Sequence, residues 1–311
     1  MKLEGIEDLF LERNLTVVAQ AIASIEKKRL KNEDILKTKW PRFNATIGGG
    51  LEFETNLVIG ARPRTGKSAL MIQLMNDICE VNNTENLALI CYTWEMTAVQ
   101  QAMRTISSKL KLSVKELKSN EQALGEYYLN LLRTEMAENA NYPIYYAGGC
   151  TSKEIVTNTA WIKKMNPSVR LINFFDHSRL VRKTNEKSEE ERLTGFYMAC
   201  NEVKKMDCIN IILTQLNKKL DDDCLHSKKG YRAPVEGDVF GADAAFQFAD
   251  NMILLHRPEL YNCDLWDFGD RKIPTENKMW GEAVKVRDGS QGVMTFDINL
   301  AHNIITQKDF F

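Results

Sequence analysis

The chain has no excess charge of either sign. Its 41 Lys and Arg against 42 Asp and Glu leave a net charge of −1. Nothing in that balance advertises a polyanionic partner, so any nucleic-acid contact has to come from local loops. It has no cysteine pair at C-x-x-C spacing. Cys79, Cys91, Cys150, Cys200, Cys208, Cys224 and Cys263 are scattered and odd in number, which argues against a zinc ribbon or disulfide framework and predicts reduced thiols. The four histidines, His177, His226, His256 and His302, form no ligand pair. No apolar run reaches the ~18 residues a membrane span needs, and Met1-Lys2-Leu3-Glu4-Gly5 does not open a signal peptide. A soluble, cytoplasmic protein with no membrane partner is expected. Internal repeats and low-complexity tracts are absent too.

What is present is 311 residues, 44% hydrophobic, enough for one large domain or one domain with an appendage. Residues 6–31 carry Leu9, Phe10, Leu15, Val18, Ala21, Ile22 and Ile25 at roughly helical spacing and end in Lys27-Lys28-Arg29-Leu30-Lys31. That is helix without enough apolar surface for its own core; it docks either on its own domain or on a neighbouring subunit. Beyond Trp40-Pro41 and Gly48-Gly49-Gly50 the pattern alternates. Strands are expected at 57–59, 87–92, 144–146, 171–175, 209–213 and 252–255. Helices are expected at 68–81, 97–110, 113–138, 152–165 and 188–206, the last with a capping box from Ser188 to Glu191. Continuous apolar strands alternating with helices imply an α/β fold, a mostly parallel sheet covered on both faces. Residues 283–286 and 293–298, joined through Asp288-Gly289, read as a C-terminal hairpin.

The run Ala61-Arg62-Pro63-Arg64-Thr65-Gly66-Lys67-Ser68 lies between an apolar strand and an apolar helix. Strand, Gly-containing loop and helix is the context of a P-loop. Loop and helix N–H groups point at a phosphate chain, Lys67 reaches the β- and γ-phosphates, and Ser68 faces Mg²⁺. The usual first glycine is replaced by Ala61, which a negative φ tolerates. The cofactors implied are ATP and Mg²⁺.

Phosphoryl chemistry needs a carboxylate near that loop. Asp176 ends the apolar run Leu171-Ile172-Asn173-Phe174-Phe175 and is the candidate metal ligand. Glu95, in Trp94-Glu95-Met96 after the second strand, sits on the same rim and could act as general base; a solvated loop glutamate fits its position equally. Gln215, in Thr214-Gln215-Leu216-Asn217, could bond a γ-phosphate and report its loss to the following loop, or simply cap a turn. Lys285-Val286-Arg287 puts two cations on one strand face, either facing water or serving a neighbour's γ-phosphate in trans.

Taken in order, these elements resemble the C-terminal motor domain of DnaB-type replicative helicases. The shared elements are Ala61 to Ser68, Trp94-Glu95-Met96, Asp176, Thr214-Gln215-Leu216-Asn217, Gln247-Phe248-Ala249-Asp250, Arg257-Pro258-Glu259 and Lys285-Val286-Arg287-Asp288-Gly289. The resemblance covers about residues 42–300. It implies a RecA-like fold, with 1–40 as a helical linker segment and 41–311 as the motor domain. It implies Glu95 as base, with Lys67 and Gln215 catalytic beside it and Lys285 and Arg287 as trans-acting fingers. It further implies a homo-oligomer, a hexameric ring on single-stranded DNA unwinding duplex 5′ to 3′, with a replication loader or primase as possible partner. The DNA-contacting loops correspond to 181–192 and 218–232, with Lys183, Lys187, Arg192, Lys218, Lys219, Lys228, Lys229 and Arg232 as phosphate partners. The chain is too short for the family's N-terminal domain, as in a phage-type member, where the cytoplasm would be the host's. It carries helical and polar insertions at 113–140 and 261–278. The alternatives are a RecA-fold ATPase that remodels DNA or protein without unwinding, and a helicase-accessory nucleotide switch.

Overall fold

The computed structural model describes residues 18–19, 22–23, 35–119, 125–226, 231–268 and 271–307. Most of the helix expected over 6–31, its basic end, and Lys228 and Lys229 lie outside the described residues.

The strands are β1 (Ile35–Leu36), β2 (Leu51–Glu52), β3 (Thr55–Ala61), β4 (Leu87–Thr93), β5 (Ile144–Ala147), β6 (Arg170–Asp176), β7 (Cys208–Gln215), β8 (Asn251–His256), β9 (Leu265–Phe268), β10 (Arg271–Pro274), β11 (Lys278–Val286), β12 (Gly292–Asn299) and β13 (Ile304–Gln307). The helices are α1 (Pro41–Thr46), α2 (Lys67–Val81), α3 (Ala98–Leu110), α4 (Val114–Leu117), α5 (Glu126–Asn139), α6 (Ser152–Met165), α7 (Glu189–Lys204), α8 (Lys219–His226) and α9 (Ala242–Phe248). A nine-stranded sheet runs in the order β13-β12-β11-β8-β3-β7-β6-β4-β5. From β8 to β5 all neighbours are parallel; β11, β12 and β13 add an antiparallel edge.

Alternation along the central strands explains the two-sided core. Leu57 and Ile59 of β3, with Ile172 and Phe174 of β6, face the side covered by α2. Val58, Leu171 and Phe175 face the other side, against Ile155 of α6, Phe196, Tyr197, Cys200 and Val203 of α7, and Ala245 of α9. Ile35–Leu36 pairs with β2, and Trp40 packs edge-on against Phe296 of β12.

The chain leaves β3 through α2 and re-enters the sheet at β4, with β7 and β6 lying between the two. A crevice at the carboxyl ends of these strands is the place for a ligand in such sheets.

Several boundaries differ from expectation for local reasons. The single helix expected at 113–138 is two helices. Ser113 caps α4 in a box with Glu116, and Gly125 occupies the N-cap of α5. The start expected near Ser152 is capped one residue earlier, by Thr151 in a box with Glu154. Ser188 does accept from the Glu191 N–H of α7, but the Glu191 carboxylate accepts from Lys187 N at 2.7 Å, so only half the expected box forms. The hairpin is longer than expected, and β13 extends it. The polar stretch 261–278 contains a further hairpin, β9–β10.

Candidate active site

The loop from Ala61 to Ser68 joins β3 to α2 at the crevice. Ala61 is fully buried and is absent from the positive-φ positions, so the methyl in place of glycine costs the loop nothing. Gly60 is needed for a different reason: a Cβ there would stand 2.8 Å from Leu254 Cδ2. Gly66, at φ 110, occupies the N-cap of α2 in the left-handed region that favours glycine. It thereby turns the loop N–H groups and the first turn of the helix toward one space. Lys67 is the first residue of α2, 9% exposed, with Nζ 3.3 Å from Thr214 O. Burial pulls its pKa below the ordinary lysine value, while Asp176 and Glu95 hold it up.

Asp176 ends β6, is 1% exposed, and neither carboxylate oxygen has a hydrogen-bond partner among the described residues. Burial pushes its pKa up, Lys67 opposes the shift and Glu95 adds to it. The Ser68 hydroxyl lies near enough to lower it as well, though outside hydrogen-bond geometry. A buried carboxylate with both oxygens uncommitted, beside a helix-start hydroxyl, fits a magnesium ion whose remaining ligands are phosphate and water. Among the described residues no cluster of His, Cys, Asp and Glu forms an all-protein metal cage.

Glu95 lies just past β4 and is half exposed. Trp94 anchors it: the indole packs among Tyr92, Phe175 and Phe196 and donates to Gly148 O at 3.3 Å. Gln215 ends β7. Its Nε2 is 3.1 Å from His177 Nε2, and its Oε1 accepts from Arg179 Nη1 at 3.3 Å. His177 Nε2 lies 3.8 Å from a Glu95 oxygen. Burial, Lys67 and Arg179 lower the His177 pKa to about 4, so the ring is neutral near pH 7. Arg179 continues the chain of contacts to Glu189 at the start of α7, 2.9 Å away.

Lys67, Ser68, Glu95 and Gln215 therefore line one cleft of about 300 Å³, together with Arg62, Pro63, Arg64 and Gly66 of the loop. Arg104, Leu300 and Asn303 complete its wall. Sequence reasoning missed these three and His177. Arg104 sits on an ordinary amphipathic helix, and only the Asp176-His177 adjacency could have flagged the histidine. Thr65 is buried under the loop rather than open to the cleft. The Arg62 side chain turns away from the phosphate space, toward Leu216 O and Asp221.

Lys285 and Arg287 lie elsewhere. Val286 pairs with Asn251, which pairs with Leu57. Arg287, one residue further on, is thus level with Asn56, five strand residues behind Ala61 and roughly 17 Å along the sheet before the loop's own length is counted. A register shift interrupts the strand between Ala283 and Lys285, so simple alternation does not set their direction. The two still converge. Arg287 Nη1 lies 2.5 Å from Asp250 Oδ1, and Lys285 Nζ donates to Phe246 O at 2.6 Å near the same carboxylate.

Of the candidate DNA-contacting cations, Lys183, Lys187, Lys218 and Lys219 are exposed. Arg192 bonds Arg179 O and Glu189, and Arg232 is held by Asp238 and Asp223. Both arginines are partly exposed and tie neighbouring stretches of their loops together.

The sequence matches the family described as DnaB-like helicase C terminal domain over residues 35–305. It is 23% identical over 268 residues to "Replicative DNA helicase DnaB" of Pasteurella multocida (strain Pm70), covering 84% of this chain and 55% of that protein. The chain spans about half the length of the curated relatives it matches. Its fold is similar to a solved structure described as an ATPase domain, with a TM-score of 0.78 at 18% identity, covering 94% of this chain and 99% of that one. It is similar also to a DnaB-like replicative helicase solved for its interactions with primase, with a TM-score of 0.76 at 18% identity, covering 94% and 66% of the two chains. At such identity these likenesses speak for the fold, and the expected RecA-like sheet with flanking helices and C-terminal hairpin is borne out.

Proposed function

The chain belongs to the family of DnaB-like helicase C-terminal domains, and from that premise we propose that it is the ATP-driven motor of a replicative-type DNA helicase. The observation that carries the reading is the meeting of Lys67, Asp176, Glu95 and Gln215 on one rim, at the carboxyl ends of four different strands. A triphosphate is the substrate that uses all of them.

Loop N–H groups from 62–67 and the N-terminus of α2 bind the phosphate chain. Lys67, held short of full hydration, spends its charge on the β- and γ-phosphates. Ser68 and Asp176 would hold a magnesium ion, whose chemistry there would be to offset charge developing on the phosphate oxygens. Glu95 takes the proton from the attacking water. The neutral His177 ring beside it holds Gln215, which contacts the γ-phosphate and passes its presence or loss to Arg179 and the 181–192 loop. Lys285 and Arg287, at the far end of their own sheet, serve the site of an adjacent copy, so hydrolysis requires a homo-oligomer, a hexameric ring in this reading. Lys183, Lys187, Lys218 and Lys219 contact single-stranded DNA through its phosphates, without base recognition. Translocation runs 5′ to 3′, and a loader or primase is a candidate partner by analogy with the relatives.

ATP turnover measured with and without single-stranded oligothymidylate tests this. Lys67→Ala should abolish turnover, and DNA should raise the wild-type rate. Equal rates with and without DNA would favour a remodelling ATPase or a nucleotide switch and remove the helicase reading.

A further inference from the structure

The phosphate loop is tied to one distant residue by a junction that the catalytic scheme does not use. Arg62 Nε lies 3.0 and 2.9 Å from the two carboxylate oxygens of Asp221, and Nη2 donates to Oδ2 as well. Its Nη1 donates to Leu216 O at 2.7 Å, and Leu216 N donates to Ala61 O at 3.1 Å. The same carboxylate accepts from Tyr261 Oη at 2.6 Å. This is no loosely solvated surface pair: the Arg62 side chain is 18% exposed and that of Asp221 24%. The fork-on-carboxylate geometry fixes direction as well as distance, which a lysine could not do.

Both ends of the junction matter. Arg62 is in the loop that wraps the phosphates. Asp221 is in the first turn of α8, two residues past Lys219, with Leu220 buried beneath it. Tyr261 packs 5.3 Å from Tyr231, at the other end of the 218–232 segment, and Trp266 of the β9–β10 hairpin packs 4.9 Å from Tyr231. Three pieces of chain remote in sequence thus meet on Asp221, directly or through one ring.

We propose that Asp221 is a positioning residue. Gripped by Arg62 of the phosphate loop and Tyr261 of the insertion, it makes α8 and the lysines at its start move as one body with the nucleotide-binding loop. Any displacement of 62–67 on phosphate binding is then transmitted to α8 through a bidentate ion pair, in parallel with Gln215 and by a different route. The 261–278 insertion acquires a role as the outer brace of that junction. The proposal rests on the nucleotide-binding part of the reading above, and DNA stimulation is not needed to test it.

The test is hydrogen exchange on the full chain with and without magnesium and a non-hydrolysable ATP analogue. The wild type should show slowed exchange in both α2 and α8 on adding the analogue. In Asp221→Asn the slowing in α2 should persist, while that in α8 falls by at least about fivefold. In Tyr261→Phe, which removes one hydroxyl, it should fall about two- to threefold. Unchanged α8 protection in both variants, or none in the wild type while α2 is protected, overturns the proposal. Should Asp221→Asn fail to fold, Tyr261→Phe decides alone by the same criterion. A companion ATPase assay keeps the two ideas apart. A wild type indifferent to DNA counts against the helicase reading, whereas α8 exchange counts only for or against the junction.

Discussion

Arg287→Ala separates a finger that acts on a neighbour from a cation that only decorates a strand. Arg287 is 65% exposed, and its approach to Asp250 is an ion pair without hydrogen-bond geometry. Asp250 keeps Lys204 Nζ at 2.7 Å and the Asn56 N–H at 2.8 Å when Arg287 is removed. The fold should therefore lose no more than about 1 kcal/mol, as for an exposed pair. If Arg287 completes a neighbour's site, kcat should fall ~10³-fold or more, about 4 kcal/mol of barrier, with ATP affinity nearly unchanged. Mixing makes the location measurable. Each trans site takes Lys67 from one copy and Arg287 from the next. In a random 1:1 mixture of Lys67→Ala and Arg287→Ala chains, about a quarter of head-to-tail interfaces carry both intact groups. Steady-state ATPase of the mixture should recover toward that fraction of wild type, although each parent alone is inactive. A cis finger gives no recovery at any ratio, because no chain in the mixture holds both groups. Zero recovery in a mixture that demonstrably exchanges subunits would refute the trans assignment and the ring requirement with it.

Other expectations follow from separate parts of the molecule. Replacing Lys218 and Lys219 by Ala should reduce the slope of log affinity against log salt for single-stranded DNA by about 1.4, at about 0.7 per lost phosphate contact; an unchanged slope in a binding titration would remove them from the interface. Gly60→Val should cost about 1–3 kcal/mol, read as a lowered urea midpoint, because its Cβ meets Leu254 at 2.8 Å and Leu216 at 3.1 Å. His256 gives a pH dependence. Burial lowers its pKa against the pull of Glu282. A Glu282 carboxylate oxygen lies 3.1 Å from the His256 Nε2 and Tyr231 Oη 2.5 Å from the His256 Nδ1. The unfolded chain then takes up a proton near pH 6.5 and the native chain only at lower pH, so this contribution is full above ~6.5 and is lost as pH falls below it, by up to about 1.4 kcal/mol per unit. Urea unfolding at pH 7.5, 6.5 and 5.5 should show that decline, and His256→Gln should make it shallower while leaving the share of His177, whose pKa is lowered in the same direction.

What is legible in the sequence is local. The phosphate loop, the apolar strands and the carboxylate ending β6 are written within about ten residues each, so periodicity and turn chemistry locate them. The stretch 113–138 reads as one helix because Gly125 interrupts a run whose flanks both look helical. Ser152 reads as a cap because Thr151, one residue earlier, makes the same chemistry. The insertion 261–278 reads as polar loop, yet it forms a hairpin whose Trp266 and neighbouring Tyr261 pack against Tyr231. What sequence cannot supply is pairing over distance. Arg62 with Asp221 spans 159 positions. The ties of Arg192 to Glu189 and of Arg232 to Asp223 and Asp238 exist only once the chain is folded. The place of Arg287, at the opposite end of the sheet from Lys67, depends on strand order and direction, which no motif encodes.

The chain treats two buried carboxylates in opposite ways, and the contrast separates structure from chemistry. Asp250 and Asp176 are each 1% exposed. Asp250 Oδ2 accepts from the buried Lys204 ammonium and the Asn56 N–H, and its Oδ1 faces the Arg287 guanidinium. Asp176 faces an equally buried lysine, Lys67, without an ion pair to it, and Lys67 donates only to Thr214 O at 3.3 Å. Leaving a buried polar group unmet costs about 1–3 kcal/mol, and more when it is charged. A fold able to pair Lys204 with Asp250 had the means to pair Lys67 with Asp176, and we propose that the uncommitted oxygens are kept for a ligand. Asn substitution tests this directly. Asp250→Asn breaks the hydrogen-bonded buried pair with Lys204 and should cost about 3–5 kcal/mol. Asp176→Asn removes no hydrogen bond, only part of the charge facing Lys67, and should cost the nucleotide-free fold less than Asp250→Asn does while abolishing magnesium-dependent turnover. Chemical denaturation of the two variants decides it: equal destabilisation by both would make Asp176 a structural residue and leave the cleft without its metal ligand.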